Sequence, residues 1–135
     1  MAKVRAEKNL EENKWDVFEE VDWDDLEEKN FEKVKVIGEG GFGKVCLVRQ
    51  ISTGKPFAMK AMRKHRLLDP EKLRQTELEK NILMQADHTF HVGMRHNFQD
   101  DQRIYFVMDY IRGGDLFTHM REEAFSEKRA QFYVV

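Results

Sequence analysis

Apolar positions change their period twice along this chain, and the changes mark its parts. Over residues 2–21 a thin stripe recurs at helical spacing (Leu10, Val17, Phe18 and Val21, with Trp15 beside it) in an otherwise charged stretch. That stretch reads either as a solvated leader or as a helix that docks on a partner. Residues 21–26 are too acidic to extend the stripe and serve as a link. From Phe31 the period drops to two. Lys33-Val34-Lys35-Val36 alternates as a strand does, and Ile37 leads into a glycine-rich run. Residues 44–49 form a second strand-like run, and residues 57–62 a third after the turn at residues 52–56.

Helical spacing returns after Pro70, a residue suited to a helix's first turn. Residues 71–86 carry helix formers with Leu73, Leu78, Ile82, Leu83 and Ala86. Residues 90–98 and 104–110 predict two more strands across a polar turn. A short helix is expected at residues 116–121, and Ser126 is placed to cap a last one. That last helix has hardly begun at Val135, so the chain reads as cut within an element.

The glycine run is Gly38, Glu39, Gly40, Gly41, Phe42, Gly43, Lys44 and Val45, or G-x-G-x-x-G-x-V. Glycine serves where a Cβ would block an unusual backbone conformation or the close approach of a ligand. Dinucleotide-binding folds carry the same three glycines, but there the loop joins a strand to a helix whose N-terminus holds the pyrophosphate. Here it joins strand to strand, which makes it a hairpin flap and excludes that fold. Glu79 precedes Ile82, Leu83 and Ala86 by three, four and seven residues, so it shares their helix face, whereas Glu77 points elsewhere. A carboxylate on such a face needs a cation. Lys60, closing an apolar strand, is the candidate; the other reading is that Glu79 reaches the stripe's edge and solvent.

Composition changes the picture little. The chain has 135 residues, 41% hydrophobic and 36% charged, with a net charge of −2. Residues 1–29 hold five Lys/Arg against eleven Asp/Glu, leaving eighteen against fourteen for the remainder. The mildly basic part contains the glycines, as an anionic ligand favours, but the bias is too small for nucleic acid. No apolar run approaches the ~20 residues of a membrane span, and the N-terminus lacks a signal peptide's apolar stretch. The single Cys46 excludes an internal disulfide and fits the cytosol or nucleus. His88, His91 and His96 lack the partners of a structural zinc site, so no metal site is assigned.

With hairpin flap, Lys60, Glu79 and the element order in place, the chain resembles the N-terminal lobe of a protein kinase, above all the AGC group of serine/threonine kinases. The likeness covers residues 22–135. It is carried by residues 38–45, Phe57-Ala58-Met59-Lys60, residues 76–83, residues 104–110, Gly113-Gly114-Asp115-Leu116-Phe117 and Phe125-Ser126-Glu127. The resemblance implies an α+β fold: a five-stranded antiparallel sheet with one main helix, plus an N-terminal helix and the start of a second lobe. The parts divide at residues 1–29, 30–111 and 112–135.

The resemblance also assigns roles. Backbone amides of residues 38–43 would fold over the phosphates of ATP, with Phe42 shielding them from water. Ile37, Val45 and Ala58 would roof the adenine, and Leu116 would pack beneath it. Lys60 would grip the α- and β-phosphates, oriented by Glu79. Met108 falls at the gatekeeper position, and Asp109 and Ile111 would offer backbone groups to the base. Asp115 would meet the ribose or cap the following helix, and both roles can hold. Thr89 stands where a proline is usual, and His91 and His96 stand near apolar positions. That departure implies looser packing behind Glu79.

Phosphoryl transfer in the family also needs H-R-D…N and D-F-G motifs, which position the hydroxyl nucleophile and hold Mg²⁺. Neither occurs in these residues, so this stretch alone is expected to be inactive, with the Mg²⁺ ligands in a second lobe. Three readings follow. The chain is part of a kinase with ATP and a protein as substrates. Or it is a non-catalytic lobe that binds a protein through residues 71–86 or 1–29. Or it is a nucleotide-binding regulator. Apolar Phe132, Val134 and Val135 would make the isolated piece prone to associate.

Overall fold

The computed structural model describes residues 30–41 and 43–134. The expected leader helix, Phe42 and Val135 lie outside them. Five antiparallel strands form one sheet in the order β1-β2-β3-β5-β4: β1 Phe31–Gly40, β2 Gly43–Gln50, β3 Pro56–Arg63, β4 Met94–Gln99 and β5 Arg103–Asp109. A 3₁₀ turn, Lys64–Leu67, leads from β3 to helix α1, Pro70–Gln85. Two short helices follow the sheet, α2 Leu116–Glu122 and α3 Glu127–Val134.

Alternation along the central strands sorts side chains onto two faces. On the outer face Phe31, Cys46, Val48, Met59, Phe98, Tyr105 and Val107 form one buried cluster. Within it Phe98 stacks on Tyr105 with ring centroids 5.0 Å apart. On the inner face Met62, Leu67, Ile104 and Phe106 pack with Leu73 and Leu83 of α1 and Met94 of β4. β5 is flanked by strands on both sides and covered on both faces, so residues 104–107 are all buried. β1 is an edge strand with two register shifts, and its alternating Val34 and Val36 stay exposed for want of a layer above them.

Helix α1 starts where Asp69 accepts the N–H of Glu71 (2.9 Å) and Pro70 supplies a turn that needs no donor. Its sheet-facing side is not the whole predicted stripe. Leu73, Thr76 and Leu83 turn inward, whereas Leu78 and Ile82 are exposed. Spacings of three and seven residues carry Leu73, Thr76 and Leu83 along one face, and the angle of α1 on the sheet leaves Leu78 and Ile82 outside it.

The fourth strand also differs from expectation. It begins at Met94 rather than Phe90, because His91 N–H bonds back to the His88 carbonyl (3.0 Å) and closes a turn. Phe90 is 94% exposed as a result. Ser126 behaves as expected: its hydroxyl accepts the Arg129 N–H (3.2 Å) at the start of α3.

Candidate functional site

Antiparallel pairing places opposite residues on one face. Val45 pairs with Lys60, Leu47 with Ala58, and Ala58 with Met108. Val45, Ala58, Lys60 and Met108 therefore share the inner face, on the side where α1 packs. From α1, Glu79 meets them: Lys60 Nζ donates to Glu79 Oε1 at 2.8 Å. Water still reaches 24% of the Lys60 side chain and 41% of that of Glu79. The ammonium is thus held in place while still in reach of water.

The glycines lie in the β1–β2 hairpin, Gly38 opposite Val45 and Gly40 opposite Gly43. None adopts positive φ, so their need is spatial. A Cβ on Gly43 would overlap the Ala61 carbonyl of β3, whereas nothing stands within 4 Å of one on Gly40 or Gly41. Gly43 lets two strands close, and Gly40 and Gly41 leave open space over the hairpin. One contact escaped the sequence: Arg66 of the 3₁₀ turn donates to the Gly41 carbonyl at 3.0 Å. A single arginine outside any motif offered no signal for it.

Ile37 lies at the β1 register shift and is partly exposed. Asp109 ends β5, where its N–H bonds the Gly93 carbonyl (3.1 Å) and its carboxylate takes a two-pronged bond from Arg95 (2.8 and 2.9 Å). That pairing, across two strands, was also missed. Ile111 and Leu116 are exposed beyond the sheet. Between them Gly113 and Gly114 both take positive φ, which only glycine adopts without strain. Asp115 caps α2, its Oδ1 accepting the Thr118 N–H at 2.8 Å. Hydrogen bonding from the Thr118 side chain, then from its N–H, holds the Asp115 carboxyl below its ordinary pKa.

The histidines serve locally. His88 Nδ1 accepts the Phe90 N–H (3.1 Å), His91 Nδ1 bonds the Val92 carbonyl (2.8 Å), and His96 faces the Phe31 ring. Among the described residues no three His, Cys, Asp or Glu side chains gather as metal ligands. No described helix is long and apolar enough to cross a membrane.

A five-stranded antiparallel sheet, a glycine hairpin at one edge and a lysine paired on the inner face with a helix glutamate together define the small lobe of a protein kinase. Residues 31–135 match the family model described as protein kinase domain, and the chain belongs to that family. It is 42% identical over 105 residues to a RAC-beta serine/threonine-protein kinase of Rattus norvegicus, covering 77% of this chain and 22% of that one. It is 40% identical over 107 residues to the serine/threonine-protein kinase tricornered of Drosophila melanogaster, covering 78% and 23%. A RAC family kinase homolog of Dictyostelium discoideum is 37% identical over 105 residues, covering 77% and 24%. These relatives are AGC-group kinases. The chain spans about a quarter of their length or slightly less.

Proposed function

We propose that residues 30–111 form the nucleotide-binding wall of a serine/threonine protein kinase, which as a whole transfers the γ-phosphate of ATP to a protein hydroxyl. The observation that carries this is the Lys60–Glu79 pair, 2.8 Å long, on the inner face beside an open glycine hairpin. The residues present fit ATP. Free space above Gly40 and Gly41 suits a phosphate chain drawn close to backbone amides. Lys60 supplies a fixed cation for the α- and β-phosphates, and Glu79 orients it. Ile37, Val45 and Ala58 supply apolar surface for the base, with Met108 behind it. Asp109 and Ile111 supply backbone groups at its edge, and Asp115 and Leu116 the ribose side. Bound ATP would contribute the transferred phosphoryl group.

By the resemblance, Mg²⁺ would be held by residues of the H-R-D…N and D-F-G motifs. The H-R-D and D-F-G motifs are absent from the 135 residues, and this stretch by itself does not turn over. It binds Mg-ATP weakly, since an upper wall alone buries little of the ligand. An NMR titration of the chain tests both points. Amide shifts should gather in residues 38–45, at Ala58 and over residues 108–111, and vanish in Lys60→Met. Shifts elsewhere, or tight saturable binding at low micromolar ligand, would overturn the reading. So would phosphoryl transfer by the purified chain that Lys60→Met abolishes.

A further inference from the structure

Asp109 is the last residue of β5, and the chain leaves the sheet through residues 110–115. Ends of strands fray unless other groups pin them. Asp109 is pinned twice. Its N–H donates to the Gly93 carbonyl at 3.1 Å, and its carboxylate takes both prongs of the Arg95 guanidinium at 2.8 and 2.9 Å. β4 is irregular at this point: Met94 pairs with Met108 and His96 with Val107, which leaves Arg95 as the extra residue of a bulge. A bulge re-aims the side chain it carries, and Arg95 turns onto Asp109. Gly93 gives the carboxylate its room, since a Cβ there would stand 3.3 Å from Asp109 Oδ2. Hydrogen bonding to Asp109, then the charge of Asp109, and more weakly that of Asp87 just beyond α1, hold the Arg95 guanidinium above its ordinary pKa.

Water reaches 58% of the Arg95 side chain and 34% of that of Asp109. A pair so exposed adds little to stability. Its two-pronged geometry instead fixes orientation. With amide and carboxylate both engaged, Asp109 cannot turn without breaking one of these bonds. We propose that Arg95 is a positioning residue that determines base specificity: by clasping Asp109 it holds still the backbone edge against which a 6-amino purine is told from a 6-oxo purine. The proposal rests on the nucleotide reading above, in which Asp109 offers a backbone group to the base. A hydrogen-bonding edge rejects the wrong base because its polar groups are then left unpaired. An edge free to move escapes that penalty, so selectivity needs the clasp.

Two measurements test this. Hydrogen exchange without nucleotide reads the clasp, and NMR titrations with Mg-ATP and with the Mg complex of inosine triphosphate read the base. Inosine triphosphate has an oxygen in place of the 6-amino group and the same triphosphate. The parent chain should bind ATP about three- to tenfold more tightly, the worth of one hydrogen bond. In Arg95→Gln the Asp109 amide should exchange about three- to fivefold faster, and the preference should fall to about one. Affinity for inosine triphosphate should not change, which a general loosening of the sheet would not allow. Circular dichroism and unaltered exchange at residues 104–107 establish that the variant folds. A second variant, Arg95→Lys, keeps the charge without the fork and should lose most of the preference too. A preference that survives in either variant overturns the proposal and leaves the nucleotide reading standing, as does a parent that binds both nucleotides equally. A parent in which neither nucleotide shifts residues 38–45 overturns that reading, and the proposal with it.

Discussion

The Lys60–Glu79 pair should matter far more to ligand than to folding, and a double-mutant cycle measures how much. Lys60→Met, Glu79→Gln and the double variant are compared with the parent by urea denaturation. The 2.8 Å contact is charge-assisted, and two charges at such range interact by about 1 kcal/mol in water and about 4 kcal/mol near a protein surface. Water reaches 41% of the Glu79 side chain, which moves the pair toward the lower figure, and holding both long side chains costs entropy. The expected coupling is about 1 kcal/mol. Near 0.5 M salt it should fall by half or more, since exposed charges are screened within a few ångströms. Coupling above about 3 kcal/mol that ignores salt would mean a dry, buried pair and refute the reasoning. Zero coupling would mean that the contact does not form in solution.

Gly43→Ala should cost about 1–3 kcal/mol, because its Cβ meets the Ala61 carbonyl, while Gly41→Ala, with open space around it, should stay within about 0.5 kcal/mol; urea midpoints decide. Leu67→Ala empties a fully buried position that joins the 3₁₀ turn to the inner cluster and should cost about 2–4 kcal/mol, against little for the exposed Leu68→Ala. Acid should loosen α2. The folded Asp115 carboxyl titrates below its ordinary 3.8, so its cap is fully present above about pH 4 and is lost as the pH falls through the lower folded value. Hydrogen exchange at the Thr118 amide should show this, and Asp115→Asn, which can cap without ionising, should remove the pH dependence.

The elements that were legible in sequence are those whose signal is local. Period-two runs over residues 44–49 and 57–62 became β2 and β3 within a residue or two at each end, and Pro70 and Ser126 opened helices through bonds made inside one turn. Glu79 was legible because helical spacing put a carboxylate among apolar neighbours. Where the signal depended on what lies above an element, the reading failed. Leu78 and Ile82 looked like core and are exposed, since periodicity reveals that a helix has a face but not how it sits on the sheet. Residues 90–93 looked like strand, yet a local turn took them before the sheet did.

Arg66 and Arg95 had no sequence signal at all. Their partners lie 25 and 14 residues away, and only the packing of separate elements brings them together. Sequence by itself determined the element order, the hairpin setting of the glycines and the kinase motifs, because hydrogen bonding within a turn or strand needs only near neighbours. Tertiary structure decided which side of α1 is core, which glycine serves packing and which stands in open space. It also decided which side chains meet on each face of the sheet, Lys60 and Glu79 among them. Those outcomes depend on the angle and register of packed elements, which burial of the whole apolar surface selects and no single segment encodes.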